Sequence, residues 1–379
     1  MFPRKLLTPR FTFAAIAIAA FMPLMAPGLA MRGMHGHVGS YEQTNLVSDI
    51  PGNAALTDAN LVNAWGISSG PKTPFWISDN GTGVSTLYNV SHPGHPVALS
   101  LVVTIPPPGG SPPGTTATPT GNVFNWTTDF TLSPLHPSRF IFATEDGTIS
   151  GWNPAVDPMN AILKVDNSAS AAVYKGLAMG SNKSGNFLFA TNFRAGTIDV
   201  FDKNFTPATL AGSFQDPSLP ACGPLQPPCF APFGIANIGG QLYVSYAMQD
   251  SAKHDDAAGP GSGFVDVFDT NGHFIRRLIS NGALNSPWGL VQAPNHFGQF
   301  SNDLLVGNFG DGHINAYNPH NGAFRGQLKD DNGNPITIDG LWGLAFGNDG
   351  AAGPSSTLFF TAGINKEADG LFGSLVAEK

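Results

Sequence analysis

Five polar residues follow strand-like runs, in positions where their side-chain oxygens could ligate a metal ion. They are Asn80, Glu145, Asn192, Asn308 and Asp311. Hard cations such as Ca²⁺ take about six to eight oxygen ligands, including carboxylates and Asn carbonyls. The set therefore predicts a calcium site if the fold brings these strand ends together. Turn chemistry is the alternative, because Asn-Gly and Asp-Gly favour tight hairpins without any ligand.

An acid or base within reach of a substrate would also be needed for catalysis. Glu145 and Asp311 are the candidates, but the sequence assigns no catalytic residue. Residues 66–70, Gly-Ile-Ser-Ser-Gly, match the serine-hydrolase pattern G-x-S-x-G. That motif requires a strand, a sharp elbow and a helix, whereas here a Pro-containing turn and another strand follow. The sequence has no zincin motif, phosphate loop or spaced Cys/His cluster.

A long insertion, Met248–Ser262, is a second place for cation chemistry. It contains Asp250, His254, Asp255 and Asp256. We consider a cation-binding loop, a lid, and a solvated mobile loop, the last being the ordinary condition of a polar surface segment.

The elements that must position these residues are marked by a repeated phrase: an aromatic residue, then Gly, then Ile or Leu. It begins at Trp65, Phe233, Trp288 and Trp342, with a weaker copy at Lys175. The later copies recur about every fifty-five residues, a period typical of repeat architectures. Each copy leads into β-branched and aromatic runs separated by turns, which indicates the innermost strand of a propeller blade. In the most degenerate blade, the second, we place that strand at 123–132. We place the fourth strand of the first blade at 95–105 and that of the third at 208–214.

Counting strands predicts how the ring closes. The sixth blade ends one strand short at the C-terminus, and the strand-like segment 41–50 has no blade of its own. Pairing the two would remove an exposed sheet edge. The prediction is an all-β, six-bladed β-propeller closed by an N-terminal strand paired with the C-terminal blade, in one domain spanning 41–379. A pair of β-sandwiches and a seven-bladed ring are the alternatives.

The N-terminus has the pattern of a targeting segment. A basic start and an apolar run over 11–26 precede Gly28-Leu29-Ala30. This predicts a signal peptide over 1–30 and export to the periplasm or the extracellular space, with an uncleaved anchor as the alternative. Residues 31–40 are expected to be flexible.

The two cysteines and the net charge bear on the compartment of the protein and on the classes of partner that it could bind. Export permits a disulfide between Cys222 and Cys229, with two free thiols as the alternative. The net charge of −8 gives no indication of nucleic-acid binding, and no membrane span is expected after signal cleavage. We expect a monomer whose partner is a small molecule, an extracellular polymer or a protein.

Several longer stretches resemble a known family. They are 76–83 (Trp-Ile-Ser-Asp-Asn-Gly-Thr-Gly), 140–153, 304–312 and 340–344. Across the mature chain the sequence resembles exported bacterial proteins of unknown function that often carry PEP-CTERM sorting tails and are expected to be propellers. The sorting tail is absent here. The repeated phrase is more distantly similar to NHL repeats and to calcium-dependent gluconolactonases, a likeness that implies an axial calcium site.

These observations favour an exported propeller that binds a ligand or partner, or acts as a scaffold, through one polar face of the ring. The alternative is a calcium-dependent, lactonase-like hydrolase with its metal on the propeller axis.

Overall fold

The computed structural model describes residues 39–378 except 221 and 224. The predicted signal peptide, and residues 31–38 of the predicted flexible segment, lie outside the described residues. Those described fall in one compact unit. In this part of the chain, no helix is long and apolar enough to cross a membrane.

Six blades follow one another along the chain, and the first two strands precede them. The strands before the blades are β1 (Tyr41–Ser48) and β2 (Leu56–Thr57). Blade 1 contains β3 (Ala64–Ser68), β4 (Phe75–Asp79), β5 (Val84–Asn89), β6 (Val97–Ala98) and β7 (Val103–Thr104). Blade 2 contains β8 (Pro119–Phe124), the small hairpin β9 (Thr131–Ser133) and β10 (His136–Pro137), then β11 (Phe140–Thr144), β12 (Thr148–Trp152) and β13 (Ile162–Asp166).

The remaining blades follow the same order. Blade 3 contains β14 (Tyr174–Asn182), β15 (Gly185–Asn192) and β16 (Thr197–Phe201). Blade 4 contains β17 (Phe230–Ile238), β18 (Gln241–Met248), β19 (Phe264–Asp269) and β20 (Phe274–Ser280). Blade 5 contains β21 (Pro287–Gln292), β22 (Leu304–Asn308), β23 (Ile314–Tyr317) and β24 (Phe324–Gln327), and blade 6 contains β25 (Leu341–Phe346), β26 (Leu358–Ala362) and β27 (Leu371–Ala377). Short helical turns lie at Ser168–Ser170, Gly298–Phe300 and Ile364–Glu367.

The predicted closure of the ring is confirmed. β1 pairs antiparallel with β27, with Tyr41 opposite Ala377 and Ser48 opposite Leu371. The sixth sheet therefore runs β2-β1-β27-β26-β25 and joins the two ends of the described chain. The first strand completes the last blade, so hydrogen bonds between the two ends of the chain hold the ring closed.

Three strand predictions were wrong. The inner strand of blade 2 is β8, which begins four residues before the predicted 123–132 and carries its own Gly phrase, Thr120-Gly121-Asn122, without an aromatic residue. The predicted fourth strand of blade 1, 95–105, is divided into β6 and β7.

The third error concerns the outer edge of blade 3. The strand predicted at 208–214 is absent. Beside β16 the chain forms an isolated bridge at Pro207 and a hydrogen bond from Ala208 N to Val200 O. Gly212 N and Phe214 N then donate to Asn271 O and Gly272 O of blade 4, so the segment leaves the edge of blade 3, and Phe214 has a left-handed φ of 54°.

The six phrase glycines explain how the blades fit around the axis. They are Gly66, Gly121, Gly176, Gly234, Gly289 and Gly343, spaced 54 to 58 residues apart. A Cβ on any of them would lie 2.0–2.9 Å from a backbone atom of the next blade's inner strand, and Gly343 closes the circle against Trp65. Only a residue without a side chain permits this approach.

The same glycines sit where the pairing register shifts between the first and second strands, for example between Pro232 and Ile235. The freed Gly N–H needs another acceptor. Ser245 Oγ accepts from Gly234 N at 2.9 Å, and Thr361 Oγ1 accepts from Gly343 N at 2.9 Å. Second-strand hydroxyls therefore hold the inner strands in their shifted register.

Cys222 and Cys229 form a disulfide in the structure, with their Cα atoms 5.9 Å apart. Replacing both with Ser should lower the free energy of unfolding by about 2 kcal/mol, because the short loop is no longer closed in the unfolded chain. Urea unfolding of the double variant, compared with the oxidised wild type, measures this. Equal stability of the oxidised and reduced wild type would contradict the expectation.

Candidate functional site

The aromatic residues of the repeated phrase meet on the axis. Trp65 stacks on Trp342 with ring centroids 3.5 Å apart, and Phe309 also stacks on Trp342, at 4.0 Å. Trp288 meets both tryptophans edge-on, and Phe233 packs against Trp342 at 5.8 Å. We call these five residues the aromatic layer. The phrase therefore supplies a plug across the channel as well as an inner strand.

Lys175 occupies the aromatic position of the phrase in blade 3. Its side chain is 1% exposed, and its Nζ lies 5.1 Å from the centroid of Trp65. A buried ammonium needs partners. Lys175 pairs with Glu145, which follows β11, and with Asp255 of the long insertion at 3.1 Å. We call Lys175, Glu145, Asp255 and the adjacent His254 the lysine cluster.

The charges of the lysine cluster are strongly coupled. Burial acts to lower the pKa of Lys175, but the carboxylates of Glu145 and Asp255 outweigh it, and the pKa of Lys175 is raised. The hydrogen bond with His254 holds the pKa of Asp255 well below its usual range, and Lys175 adds to this. The same contact raises the pKa of His254. The lysine and Asp255 are therefore charged at neutral pH.

Asn63 connects the aromatic layer to the lysine cluster. Its Oδ1 accepts from Trp65 Nε1 at 3.0 Å and from Trp342 Nε1 at 3.3 Å. Its Nδ2 donates to Asn80 Oδ1 and to Glu367 Oε1, each at 3.3 Å. Asn63 has a φ of 49°, a backbone conformation that asparagine tolerates better than most residues.

Glu367 adds a third carboxylate to this mouth of the ring. It ends a turn in which Asn365, Lys366 and Glu367 have φ of 56°, 59° and 66°. Consecutive left-handed residues are costly and are found where the surrounding structure imposes them. Burial, reinforced by the negative charge of Glu145, raises the pKa of Glu367 to about 7.

This pKa predicts a pH effect. Because the pKa of Glu367 rises from 4.5 unfolded to about 7 folded, its contribution to stability is present at low pH and is lost as pH rises through about 7. Glu367→Gln should therefore gain stability relative to wild type between about pH 5 and pH 8. Urea unfolding at both values checks this, and a pH-independent difference between the proteins would contradict it.

The five residues predicted as metal ligands are distributed over three places. Asn80 and Glu145 meet, with Asn80 Nδ2 donating to Glu145 Oε2 at 2.9 Å. Asn192 bonds to Asp199 at 3.0 Å within blade 3. Asn308 donates to Asp311 Oδ1 at 3.0 Å within blade 5. Metal binding by this set stays a prediction.

Sequence reasoning missed Lys175 as a site residue and did not decide between the alternatives for the insertion Met248–Ser262. The available signal was a lysine in a position that other copies of the phrase fill with Trp or Phe. Asp255 lies 80 residues further along the chain. The insertion is folded back on itself, with Asp250 N donating to Asp255 O and Ala257 N to Met248 O, so it places Asp255 over the lysine.

A cavity lies on the axis, beside the phrase glycines. We call it the axial cavity; its volume is about 590 Å³. Trp288, one residue of the aromatic layer, borders it, and residues that follow the glycines form its wall. The apolar part of the wall includes Ile67, Val123, Leu177, Ile235, Leu290 and Leu344.

Among the described residues of the wall, two polar side chains have buried atoms without a hydrogen-bond partner. They are Ser68 Oγ of β3 and Asn122 Oδ1 of the neighbouring β8. Asn122 is 6% exposed. Its Nδ2 donates to Trp76 O at 3.2 Å and to Ser78 Oγ at 3.1 Å. Because the carbonyl can only accept, these bonds fix the orientation of the amide.

The rim of the axial cavity carries an exposed aromatic residue. Trp126, 57% exposed, borders the cavity just after β8. Leu135, 94% exposed, lies at the tip of the β9–β10 hairpin in the same connection. Large exposed apolar side chains beside a concavity mark a contact surface.

Fold and axis together define the class: a six-bladed β-propeller whose channel is plugged by aromatic side chains between a charged mouth and an open cavity. Two proteins of Acanthamoeba polyphaga mimivirus are similar over almost the whole chain. "Uncharacterized protein R648" is 33% identical over 372 residues, covering 96% of this chain and 86% of the relative. "Uncharacterized protein L690" is 32% identical over 352 residues, covering 90% and 87%. The chain belongs to the family of these two proteins.

The relatives are viral, so they lend no support to the exported bacterial family that the sequence resembles, nor to its PEP-CTERM association. No model of a known protein family matches the chain.

Solved structures share the fold at low identity. A glucose dehydrogenase superposes with a TM-score of 0.52 at 11% identity, covering 84% of this chain and 98% of the other. The soluble aldose sugar dehydrogenase of Escherichia coli, in its apo-form, gives 0.51 at 11% identity, covering 89% and 100%. At this identity the likeness shows the propeller fold and nothing about the reaction.

Proposed function

We propose that this protein binds an uncharged small molecule in the axial cavity. The observation that carries the proposal is the composition of the wall: the described residues lining it include no Asp, Glu, His, Lys, Arg, Cys or Tyr. A charged ligand would leave its solvation shell without gaining a countercharge. A neutral ligand exchanges water for apolar contacts and a few hydrogen bonds.

Size and shape support this proposal. Small-molecule sites are concave, mainly apolar and of about 300–1,000 Å³, and the axial cavity has about 590 Å³. Trp288, which borders the cavity, is buried, and its Nε1 donates to Lys175 O at 3.1 Å. A preformed cavity of this kind loses little binding energy to ordering of the protein.

The composition of the cavity wall also favours binding over catalysis. General acid–base chemistry requires a titratable side chain within hydrogen-bond reach of the reacting group. In the described structure such groups gather in the lysine cluster, at the other mouth and beyond the aromatic layer. The cavity therefore suits recognition, and the proposal is a binding protein rather than an enzyme.

The proposal is tested by titrating the purified protein with matched neutral and anionic ring compounds, using tryptophan fluorescence and thermal shift. Neutral compounds should bind, and Ser69→Trp, which fills the cavity beside β3, should abolish their binding without lowering the melting temperature of the free protein. Ser91→Trp, on the exposed surface, is the matched control. Binding that survives Ser69→Trp would overturn the location, and preference for anions would overturn the ligand class.

A calcium-dependent, lactonase-like hydrolase is the second proposal. The observation in its favour is that ligand atoms of Glu145, His254 and Asp255 lie within 4.8 Å of one another. Against it, Lys175 already neutralises both carboxylates, and an imidazole is a poor ligand for a hard cation. The residues present therefore fit calcium poorly.

The effect of calcium on the melting temperature tests this second proposal directly. If calcium binds, adding it to chelator-treated protein raises the melting temperature, and Glu145→Gln abolishes the rise. An unchanged melting temperature at millimolar calcium would exclude the hydrolase.

Export is proposed on the sequence of residues 1–30, and the disulfide supports it because such bonds persist in oxidising compartments. N-terminal sequencing of protein recovered outside the cytoplasm should begin after Ala30. A mature N-terminus at Met1 would contradict cleavage. A small molecule is the partner we favour over an extracellular polymer or a protein.

A further inference from the structure

We infer that the ligand of the axial cavity carries a flat aromatic ring and that Trp126 selects it by stacking at the rim. This inference rests on the proposed function and names the chemical class of the ligand. It starts from the exposure of Trp126, which is 57%, whereas the other described residues that line the cavity are buried or half-buried.

Trp126 differs from every other tryptophan of the chain. The other five are at most 9% exposed, and each packs against another aromatic ring. They are Trp65, Trp76, Trp152, Trp288 and Trp342. Among the described residues, no ring packs against the Trp126 indole, and its Nε1 has no hydrogen-bond partner. Trp126 therefore leaves a large flat face available beside the cavity, and aromatic faces pair well with flat rings.

Asn125 holds the backbone on either side of Trp126 in place. Its Oδ1 accepts from Thr127 N at 2.9 Å and from Thr127 Oγ1 at 2.7 Å. Its Nδ2 donates to Asp129 O at 3.0 Å and to Ser138 O at 2.9 Å, so it spans the base of the β9–β10 hairpin. Asn125 itself is 5% exposed. Because the backbone at the rim is already ordered, stacking on Trp126 loses little binding energy to ordering of the chain.

The polar side chains of the wall argue against a ligand with many hydroxyl groups. Asn122 Oδ1 and Ser68 Oγ are enclosed by the protein and lie out of reach of a ligand. Asn237 is hydrogen-bonded through both ends of its amide. Ser69 is thus the only Ser or Asn of the described wall left to bond a ligand hydroxyl. Hydroxyls buried without partners cost free energy, so the wall favours an aromatic ring over a sugar ring.

The test uses two probes with the same carbon skeleton and the same hydroxyl, 2-naphthol and decahydro-2-naphthol, of which only the first is flat. Isothermal titration should show 2-naphthol binding about three- to tenfold more tightly, the effect of one aromatic pair. The saturated probe has the larger apolar surface, so burial alone would favour it.

Three variants assign this preference to Trp126. Trp126→Leu should bring the two affinities close together, whereas Trp126→Phe, which keeps a flat ring, should retain most of the preference. Leu135→Ala, which changes the other exposed apolar residue of the same connection, should leave the preference unchanged. Because the Trp126 side chain is exposed, its replacement should leave the fold intact.

The outcomes separate this inference from the proposed function. Equal affinity of wild type for the two probes, with both lost in Ser69→Trp, would overturn the stacking and leave the cavity as the binding site. A preference for 2-naphthol that persists unchanged in Trp126→Leu would overturn the role of Trp126. Binding of neither probe would count against both statements.

Discussion

Lys175→Met is expected to lower the free energy of unfolding by about 3–5 kcal/mol, the usual cost of removing one partner from a buried ion pair. The change leaves Glu145, 10% exposed, without its countercharge. It also removes the cation from the face of Trp65. Urea unfolding at neutral pH measures the loss, which should shrink in acid because Lys175 helps to lower the pKa of Asp255, and the stability linked to a lowered carboxyl pKa is lost as pH falls.

Two further variants make this result specific. Lys183→Met, on the exposed surface, should change stability little. Lys175→Met/Glu145→Gln should recover part of the loss, because an apolar and neutral replacement of a buried ion pair is often tolerated. If Lys175→Met unfolds at the same urea concentration as wild type, the lysine cluster does not stabilise the ring.

Gly234→Ala has the second largest expected effect, a loss of about 3 kcal/mol, at the upper end of the range for overpacked interiors. An added Cβ would lie 2.0 Å from Trp288 O and 2.9 Å from Ser245 Oγ. Relief requires blade 5 to move away from blade 4, which would disturb the whole ring. Thermal or urea unfolding measures the effect.

Gly259→Ala is the matched control. Its nearest neighbour would be Ser262 Cβ at 4.0 Å, and its backbone is not left-handed. The control should be neutral or slightly stabilising, because alanine reduces the freedom of the unfolded chain. Equal effects of the two substitutions would contradict the close approach of adjacent inner strands.

The sequence predicted the ring well because the ring depends on backbone geometry repeated in every blade. The Gly of the phrase and the orphan strand at 41–50 each have a local signature. Blade 2 was misplaced because Thr120-Gly121 lacks the aromatic residue on which the pattern was built. In blade 3 the predicted fourth strand failed because Gly212 and Phe214 donate to backbone carbonyls of blade 4, and contacts between residues so far apart in sequence leave no local signal.

The site could be predicted only in part. Asn80 and Glu145 are hydrogen-bonded to each other, since both follow second strands of adjacent blades, and metal binding by them stays a prediction. The pairing of Lys175 with Asp255 joins residues 80 positions apart through an insertion with no counterpart in other blades. The axial cavity has no sequence signature, because its wall consists of ordinary inner-strand residues.

A crystal structure of the protein soaked with 2-naphthol, a neutral ring compound of the proposed class, would show directly where such a ligand binds. We expect density for the naphthol inside the axial cavity, with its rings towards Trp126. Density at the charged mouth beside Lys175, or an axial cavity empty under conditions where the naphthol binds in solution, would contradict the proposed binding site.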